Sequence, residues 1–390
     1  MPTARRNDNL LSAWIQRAGI GYTPGTMNVN DVIESMEQWA PASLAYSWDK
    51  IGLATGSPDQ KITKVITALT ITRDAFNAAK RAKAQMILSH HPLIWDPITT
   101  LRSDNPLSKL FLDIAQSGIA CYSAHTNLDV AQNGVNHVLA DRLGLTNKQA
   151  LFKVPQARQS KLVVFVPESH FIRVREAVFV AGAGGIRDYT ECSFSSLGHG
   201  TFLPHENAKP FAGRIGKLNE EPEIRFETLL PSEHTPKILH ALREAHPYEE
   251  PAFDIIPLEM DNPVYSLGLR GELARPVSLD TFAKRVKQKL DISHVRVTGK
   301  GTAKVKHIAV MGGAGGDSAD NIPDGVDVFV TGDVKYHKAL DAADAGLNII
   351  DAGHHGTEKW IVPAMADYLK QILGGLKVAT YMEPDPFRVL

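Results

Sequence analysis

Two adjacent histidines, His90 and His91, follow residues 85–89, an apolar stretch that the sequence predicts to be a short strand. In open α/β sheets, ligands bind in the loops beyond the carboxyl ends of the strands, so this position indicates a site. Adjacent side chains of an extended chain point in opposite directions. The pair therefore suits two ions lying side by side better than it suits one, although ordinary turn or surface histidines are the alternative interpretation.

A second polar segment, residues 125–129, follows another predicted strand, residues 119–124, and contains His125 and Asp129. Such a segment could supply a histidine and a carboxylate to a metal ion. Taken alone, it could also be the approach to a helix, where Asp and Asn side chains cap backbone amides.

A third segment follows the predicted strand at residues 347–351 and contains His354 and Glu358. Residues four apart lie on the same face of a helix, so the two side chains would project together if the helix begins at this point. This spacing is common among metal ligands, and it is equally common in exposed pairs.

The three segments share one arrangement, because each follows a strand and offers histidine with or near a carboxylate. We expect the strand ends to lie along one edge of a single parallel-type sheet, so the joint pattern predicts a metal site. Imidazole and carboxylate ligands suit Zn, Mn, Fe, Co or Ni, and they do not select among these metals. The only two cysteines, Cys121 and Cys192, exclude a Cys-rich site and a disulfide framework.

Other polar residues after strands could line the same cleft. The glycine-rich loop at residues 312–316 could present backbone amides to a phosphate, although a tight turn explains it equally well. Asp333 and His337 follow another predicted strand. Together with His125 they are candidates for acid/base catalysis or for orienting a ligand histidine.

Composition limits the class of protein and its partners. The chain has 390 residues, of which 43% are hydrophobic and 22% charged, as is typical of a folded protein of two or three domains. A net charge of -1 argues against a general attraction to nucleic acid. No apolar stretch reaches the roughly 18 residues that a membrane helix needs. We expect a cytoplasmic protein in which residues 1–26 are a disordered extension, an organellar presequence being the alternative.

The order of predicted elements indicates an α/β fold with an insertion. Strands alternate with helices over residues 27–152 and again over residues 264–390. Residues 153–263 differ, because a segment at residues 193–225 is rich in glycine, proline and polar turn residues. We therefore predict one split α/β core domain and an inserted small α+β domain, with two independent core domains as the alternative.

Four motifs, in this order, resemble a known family. They are Ser47-Trp48-Asp49-Lys50-Ile51-Gly52-Leu53, Ser89-His90-His91-Pro92, His125-Thr126-Asn127-Leu128-Asp129 and Gly353-His354-His355-Gly356-Thr357-Glu358. From residue 27 onward the chain is similar to the NGG-interacting-factor (NIF-three-like) family, whose members are often named GTP cyclohydrolase I type 2 homologues. Residues 192–204 and 246–256 resemble the PII-like or CutA-like domain of the longer members.

The resemblance implies a duplicated α/β core that binds two divalent ions per chain. It places the ligands at His90, His91, Asp129, His354 and Glu358. The division that it implies gives His91 and Asp129 to one ion, gives His90 and His354 to the other, and makes Glu358 the bridge. It also implies a homo-oligomer, in the form of a toroidal hexamer built from trimers.

Together these expectations favour a metal-dependent hydrolase that acts on a nucleotide or a phosphorylated small molecule. Three protein ligands per ion leave open positions, which is typical of a reactive site rather than a structural one. The alternative is a regulatory or interaction protein whose metal site is structural or sensory. A third hypothesis is metal handling, which would require exchangeable ions.

Overall fold

A computed structural model describes residues 27–154, 159–186, 189–231, 234–258 and 265–389. The described chain forms two compact units, an inserted unit at residues 159–258 and a core unit made of residues 27–154 and 265–389. The extension predicted for residues 1–26 lies outside the described residues. Within the described ranges, no helix combines the length and the apolar character needed to cross a bilayer.

The first part of the core unit alternates helices and strands. In chain order these elements are α1 (Val29–Trp39), a 3-10 helix (Ala42–Leu44), β1 (Gly52–Thr55), β2 (Lys64–Ala68), α2 (Arg73–Ala82), β3 (Met86–Ser89), α3 (Pro106–Ser117), β4 (Ala120–Ser123), α4 (Thr126–Val130), α5 (Val135–Leu143) and β5 (Thr146–Lys153).

The inserted unit follows with two βαβ-like halves. Its elements are β6 (Ser160–Pro167), a 3-10 helix (Glu168–His170), α6 (Phe171–Val180), β7 (Ser193–Phe202), β8 (Asn219–Leu230), α7 (Thr235–Ala245) and β9 (Phe253–Pro257). The four strands form an antiparallel sheet in the order β7-β8-β6-β9.

The second part of the core unit resumes the alternation. Its elements are β10 (Ser266–Ser278), α8 (Leu279–Leu290), β11 (Arg296–Val297), β12 (Lys304–Val310), a 3-10 helix (Gly315–Asn321), β13 (Val328–Thr331), α9 (Tyr336–Asp344), β14 (Asn348–Asp351), α10 (His354–Glu358), α11 (Ile361–Ile372) and β15 (Lys377–Thr380).

The core unit contains two sheets with parallel centres. The first has the order β1-β4-β3-β2-β15, in which only β1 pairs antiparallel, and the final strand β15 returns to complete it. The second has the order β11-β14-β13-β12-β10-β5, with β12, β13 and β14 parallel. The α/β fold class predicted from the sequence is confirmed.

Local signals explain why several of these elements form where they do. The apolar spacing of residues 29–39 predicts a helix, and α1 occupies that range behind a capping box between Asn28 and Asp31. Thr72 is predicted to cap the helix that follows it. Its side chain accepts a hydrogen bond from the amide of Ala75 at the start of α2, so this prediction is confirmed.

Two segments contain more regular structure than their polar, turn-rich composition indicates. The polar segment at residues 125–129 contains the short helix α4, because the His125 carbonyl accepts from the amides of Leu128 and Asp129, and the Leu128 side chain is fully buried. The turn-rich segment at residues 193–225 contains β7 and the start of β8. Because most of β7 is exposed, it lacks the apolar alternation that identifies a half-buried strand.

Helix α5 packs against both sheets of the core unit. Near its start, Val135 belongs to the apolar cluster that contains Leu88 of β3. One and two turns later, Leu139 and Leu143 belong to a second cluster with Val328 of β13. Each fully buried Leu or Val contributes roughly 1.5–3 kcal/mol relative to an exposed one. The helix therefore ties together the two sheets whose strand ends carry the predicted site residues.

The turn before α5 depends on a glycine. A Cβ atom at Gly134 would lie 1.9 Å from the Leu128 carbonyl oxygen, although the φ of -78° suits any residue. We predict that Gly134→Ala lowers the free energy of unfolding by about 1–3 kcal/mol, because α4 and α5 must move apart. Urea unfolding followed by circular dichroism measures the change.

The matched control is Gly374→Ala, since no atom lies within 4 Å of the Cβ position at Gly374 and its φ is ordinary. We expect this control to change the free energy of unfolding by less than about 0.5 kcal/mol. Equal effects of the two substitutions would contradict the steric explanation.

Candidate metal centre

The predicted ligands lie at strand ends of both sheets. His90 and His91 follow β3, and Asp129 lies on α4 after the neighbouring parallel strand β4. Gly353, with φ at 74°, turns the chain from β14 of the second sheet into α10. The expectation of a single sheet edge is therefore wrong, because periodicity predicts where strands lie and does not predict which sheet they join.

Glu358 lies at the centre of the cluster. Its side chain is 4% exposed, and its Oε2 atom lies 2.9 Å from His91 Nε2 and 3.0 Å from His354 Nε2. Its other oxygen, Oε1, lies 3.8 Å from His90 Nε2. The i,i+4 spacing thus places His354 and Glu358 on one face of α10, as their sequence separation predicts.

Two buried polar atoms in the cluster have no hydrogen-bond partner among the residues that the structure describes. They are His90 Nε2 and Asp129 Oδ1, which lie 3.5 Å apart. Buried polar atoms are nearly always satisfied, so an orphaned nitrogen and an orphaned oxygen that face each other fit a shared cation. Imidazole and carboxylate are also the ligand types that divalent transition metals prefer. The residues present therefore fit a metal ion.

The three histidines are held in the same orientation by oxygen atoms outside the cluster. In each ring the Nδ1 atom contacts an oxygen and the Nε2 atom faces Glu358 or Asp129. The Nδ1 distances are 2.9 Å from His90 to the Ala124 carbonyl, 2.7 Å from His91 to the Thr70 hydroxyl and 2.8 Å from His354 to the Asp333 carboxylate. Such contacts fix the tautomer and present the free nitrogen to a metal.

Without a metal, the charges of the cluster are balanced by protons. Burial lowers the pKa of His90, but Asp129 and Glu358 outweigh burial and raise it to about 9. Burial raises the pKa of Asp129 to about 6. Burial also disfavours ionised Glu358, yet hydrogen bonds from His354 and His91 hold its pKa well below the usual value. A bound cation would replace these protons, so metal binding releases protons.

The side chains form groups that differ from the division that the resemblance implies. Among the described residues, potential ligand atoms within 4.8 Å of one another form three groups: His91 and His354 with Glu358, His90 and Asp129 with Glu358, and His90 and His91 with His125. The adjacent histidines approach different oxygens of Glu358; the fully buried His90 also faces Asp129 on α4, while His91 also faces His354 on α10. Glu358 belongs to two of the three groups, as the implied bridging role requires.

His125 lies beside the cluster and is oriented by a buried carboxylate. Its Nδ1 atom is 2.9 Å from Asp49 Oδ1, and its ring centroid is 5.2 Å from that of His90. Burial would raise the pKa of Asp49, but hydrogen bonds from His125 and Thr126 hold it well below its usual range. The sequence analysis did not assign Asp49 a role, although it lies in the first of the four motifs.

The remaining candidates have different surroundings. Asp333 contacts His354, as described above, and is an orienting partner. His337 is exposed on α9, where its ring packs against Tyr336, and it belongs to none of the possible metal groups among the described residues. The structure therefore does not bring His337 to the cluster.

The glycine-rich loop at residues 312–316 uses its amides within the protein. The Gly312 amide donates to Asn136 Oδ1 and the Gly313 amide donates to Thr357 Oγ1. A Cβ atom at Gly313 would lie 2.1 Å from Glu358 Oε1. The phosphate cradle is therefore not supported at these two amides, and Gly313 instead allows the loop to approach the central carboxylate.

An aromatic rim, formed by Trp48 and Trp95, adjoins His125. The two indoles are about half exposed, at 53% and 50%, and their centroids lie 5.9 Å apart. The centroid of the His125 ring is 5.6 Å from that of Trp95, and the Tyr46 ring stacks on Trp48 with centroids 5.8 Å apart. Exposed aromatic rings beside a polar cluster offer a surface for a planar ligand. The sequence analysis missed this rim, since Trp95 follows the histidine motif without a local signal.

The fold and the cluster define a class: an α/β protein with a buried group of histidines and carboxylates that can hold metal ions. The chain belongs to the Duf34/NIF3 (NGG1p interacting factor 3) family, whose sequence model matches residues 27–386. The resemblance deduced from the four motifs is thereby confirmed.

Relatives match nearly the whole chain. A Halalkalibacterium halodurans protein named GTP cyclohydrolase 1 type 2 homolog is 39% identical over 366 residues, which cover 92% of this chain and 98% of the relative. A Bacillus subtilis protein of the same name is 38% identical over 331 residues, which cover 85% of this chain and 89% of the relative. The crystal structure of a Bacillus cereus protein related to NIF3 has a TM-score of 0.77 and 38% identity, and covers 94% of this chain and 100% of that chain.

The contact between Asp333 and His354 generates a prediction. Asp333→Ala should weaken divalent metal binding by about 10–100-fold, because the ring of His354 loses the partner that fixes its tautomer. Competition with a chromophoric chelator measures the affinity. Asp317→Ala is the matched control, because Asp317 is exposed and pairs only with Lys335 among the described residues. Equal affinity in the two variants would contradict the orienting role of Asp333.

Proposed function

We propose that this protein is a metal-dependent hydrolase with a dinuclear centre that acts on a nucleotide or a phosphorylated small molecule. The observation that supports the proposal most is the pair of overlapping ligand groups that share Glu358. Each group offers three protein ligands, which leaves coordination positions open to water and substrate. The proposed ligands are His90, His91, Asp129, His354 and Glu358, and the proposed ions are Zn, Mn, Fe, Co or Ni.

When bound, two divalent ions supply an activated water at neutral pH and polarise a substrate oxygen. The protein supplies the proton transfers. Asp49 holds Nδ1 of His125, and a ring nitrogen of His125 lies within 4.8 Å of ring nitrogens of His90 and His91. A carboxylate that fixes one ring nitrogen leaves the other to accept or donate a proton, so His125 is the proposed acid/base residue.

Features on two sides of the cluster support a substrate with a planar ring and a phosphate. The aromatic rim of Trp48 and Trp95 could stack on a base. A cavity of about 510 Å³ is lined by His91, His354 and Arg296. The side chain of Arg296 is 67% exposed. One guanidinium nitrogen of Arg296 pairs with Asp351 and donates to the Val334 carbonyl, and the remaining nitrogens suit phosphate recognition. The relatives named GTP cyclohydrolase 1 type 2 homolog also support a nucleotide.

We further propose that residues 153–263 form a PII-like or CutA-like domain inserted into a core of residues 27–152 and 264–390, and that the chain forms a homohexamer. The order of elements in the inserted unit, βαββαβ with two helices on an antiparallel sheet, supports the first part. The second part rests on the resemblance to the family, which implies a toroidal hexamer built from trimers. Size-exclusion chromatography with light scattering distinguishes a hexamer from smaller species.

The proposed reaction predicts that turnover depends on metal and on Glu358. Chelator-treated protein is reloaded with Zn, Mn, Fe, Co or Ni and tested on nucleotides, phosphoesters and cyclic amides. We expect turnover with at least one metal, and we expect Glu358→Gln to reduce it by at least ~100-fold, since the shared ligand is lost. Glu37→Gln, a change of an exposed carboxylate on α1, is the control and should retain full activity.

Stoichiometric binding of metal without turnover of any compound in the panel would contradict the hydrolase. That result would favour the alternative, a regulatory or interaction protein with a structural or sensory metal site. Thermal melting of Glu358→Gln shows whether a loss of activity reflects unfolding.

The aromatic rim generates a separate prediction. Trp48→Ala should raise KM for a nucleotide by roughly tenfold, because base stacking on an aromatic side chain is worth about 1–3 kcal/mol. The KM for a phosphoester without a ring should stay unchanged. Tyr336→Ala, which removes an exposed aromatic ring on α9, is the control. An equal rise in KM for both substrates would contradict stacking.

A further inference from the structure

A second cavity lies wholly within the inserted unit and is distinct from the metal centre. Its volume is about 470 Å³, and its walls include Phe202, Phe211, Tyr248 and Glu223. Three aromatic rings and a carboxylate thus line one space. The motif that contains Tyr248, residues 246–251, has no role in the proposed hydrolysis.

Glu223 is a buried acid in the wall of this cavity. The residue is 7% exposed, and its Oε1 atom accepts a hydrogen bond of 2.7 Å from the Tyr248 hydroxyl. Within the described ranges, no lysine, arginine or histidine forms an ion pair with it. Burial of a carboxylate without a cation costs several kcal/mol, so a positive ligand would stabilise it.

The nearby His246 does not supply the missing positive charge. Its Nε2 atom donates to the Phe165 carbonyl at 3.0 Å, and its Nδ1 atom accepts from the Tyr248 amide at 3.1 Å. A ring nitrogen that accepts a hydrogen bond carries no proton, and burial also lowers the pKa of His246. The neutral ring therefore positions Tyr248 and leaves the charge of Glu223 uncompensated.

Glycines on β7 leave space beside the carboxylate. In the antiparallel pairing of β7 with β8, Gly198 lies opposite Glu223. A Cβ atom at Gly200 would lie only 2.2 Å from Glu223 Oε2. A side chain at Gly200 would thus occupy the space next to this oxygen, which has no hydrogen-bond partner among the described residues.

The rest of the wall suits a positive charge on a compact apolar body. The centroid of the Tyr248 ring lies 6.5 Å from that of Phe202 and 6.1 Å from that of Phe211. Cations bind favourably over the faces of aromatic rings, most strongly when they are desolvated. Two further acids in the wall, Glu249 and Glu250, outnumber its single lysine, Lys209.

We propose that this cavity is a binding site for a small organic cation, an ammonium group whose charge faces Glu223 and whose apolar part contacts Phe202, Phe211 and Tyr248. A divalent metal is a poorer match. All groups of described residues that could hold a metal ion lie in the core unit. The proposal does not depend on the reaction at the metal centre.

Isothermal titration of the full-length protein tests the proposal with choline and with its uncharged isostere, 3,3-dimethyl-1-butanol. We expect choline to bind saturably at one site per chain, and we expect the alcohol to bind at least tenfold more weakly. Equal binding of the two compounds would overturn the proposal. So would the absence of saturable choline binding up to ~10 mM, because even weak specific ligands of this size bind in the millimolar range.

Paired variants test the role of the buried acid. Glu223→Gln keeps the shape and the contact with Tyr248 but removes the charge, so choline affinity should fall at least tenfold. Glu244→Gln removes the same charge from an exposed position on α7, outside the cavity wall, and should leave affinity unchanged. Equal loss in both variants, or no loss in Glu223→Gln, would overturn the proposal. Thermal melting verifies that both variants fold, and the comparison of choline with the alcohol requires no variant.

Discussion

The core unit depends on the burial of one carboxylate, that of Glu358, among the rings of three histidines. A buried charge costs several kcal/mol unless partners surround it, so both sheets must present their strand ends to the same point. His90 and His91 come from the first sheet, and His354 and Glu358 follow a strand of the second. Helix α5, which packs against both sheets, holds the two halves of this cluster together.

The burial of the Glu358 carboxylate also shapes the backbone around the cluster. Gly313 lacks the side chain that would collide with Glu358, and Gly353 adopts a positive φ to start α10 at the cluster. Asp333 also has a positive φ, at 56°, a conformation that Asp tolerates better than most residues. It places its carboxylate against His354. The buried carboxylate of Glu358 therefore explains the backbone at these three residues better than a local turn preference does.

The sequence predicted which side chains form the cluster because their signal is local: each follows a short apolar strand, and His354 and Glu358 have helical spacing. It did not predict that the strand ends belong to two sheets, since periodicity carries no information about strand partners. Asp49 and Trp95 were missed because their contacts with His125 join distant segments of the chain. His337 was proposed from its position after a strand, but its place on α9 leaves it exposed.

Anomalous diffraction from crystals grown with Zn tests the central claim most directly, because it locates ions independently of any reaction. We expect two peaks per chain on opposite sides of Glu358, one near His90 and Asp129 and the other near His91 and His354. Their distances to nitrogen and oxygen ligands should be about 2.0–2.2 Å. No peak at Glu358, or a single peak that leaves His90 Nε2 and Asp129 Oδ1 unoccupied, would contradict it.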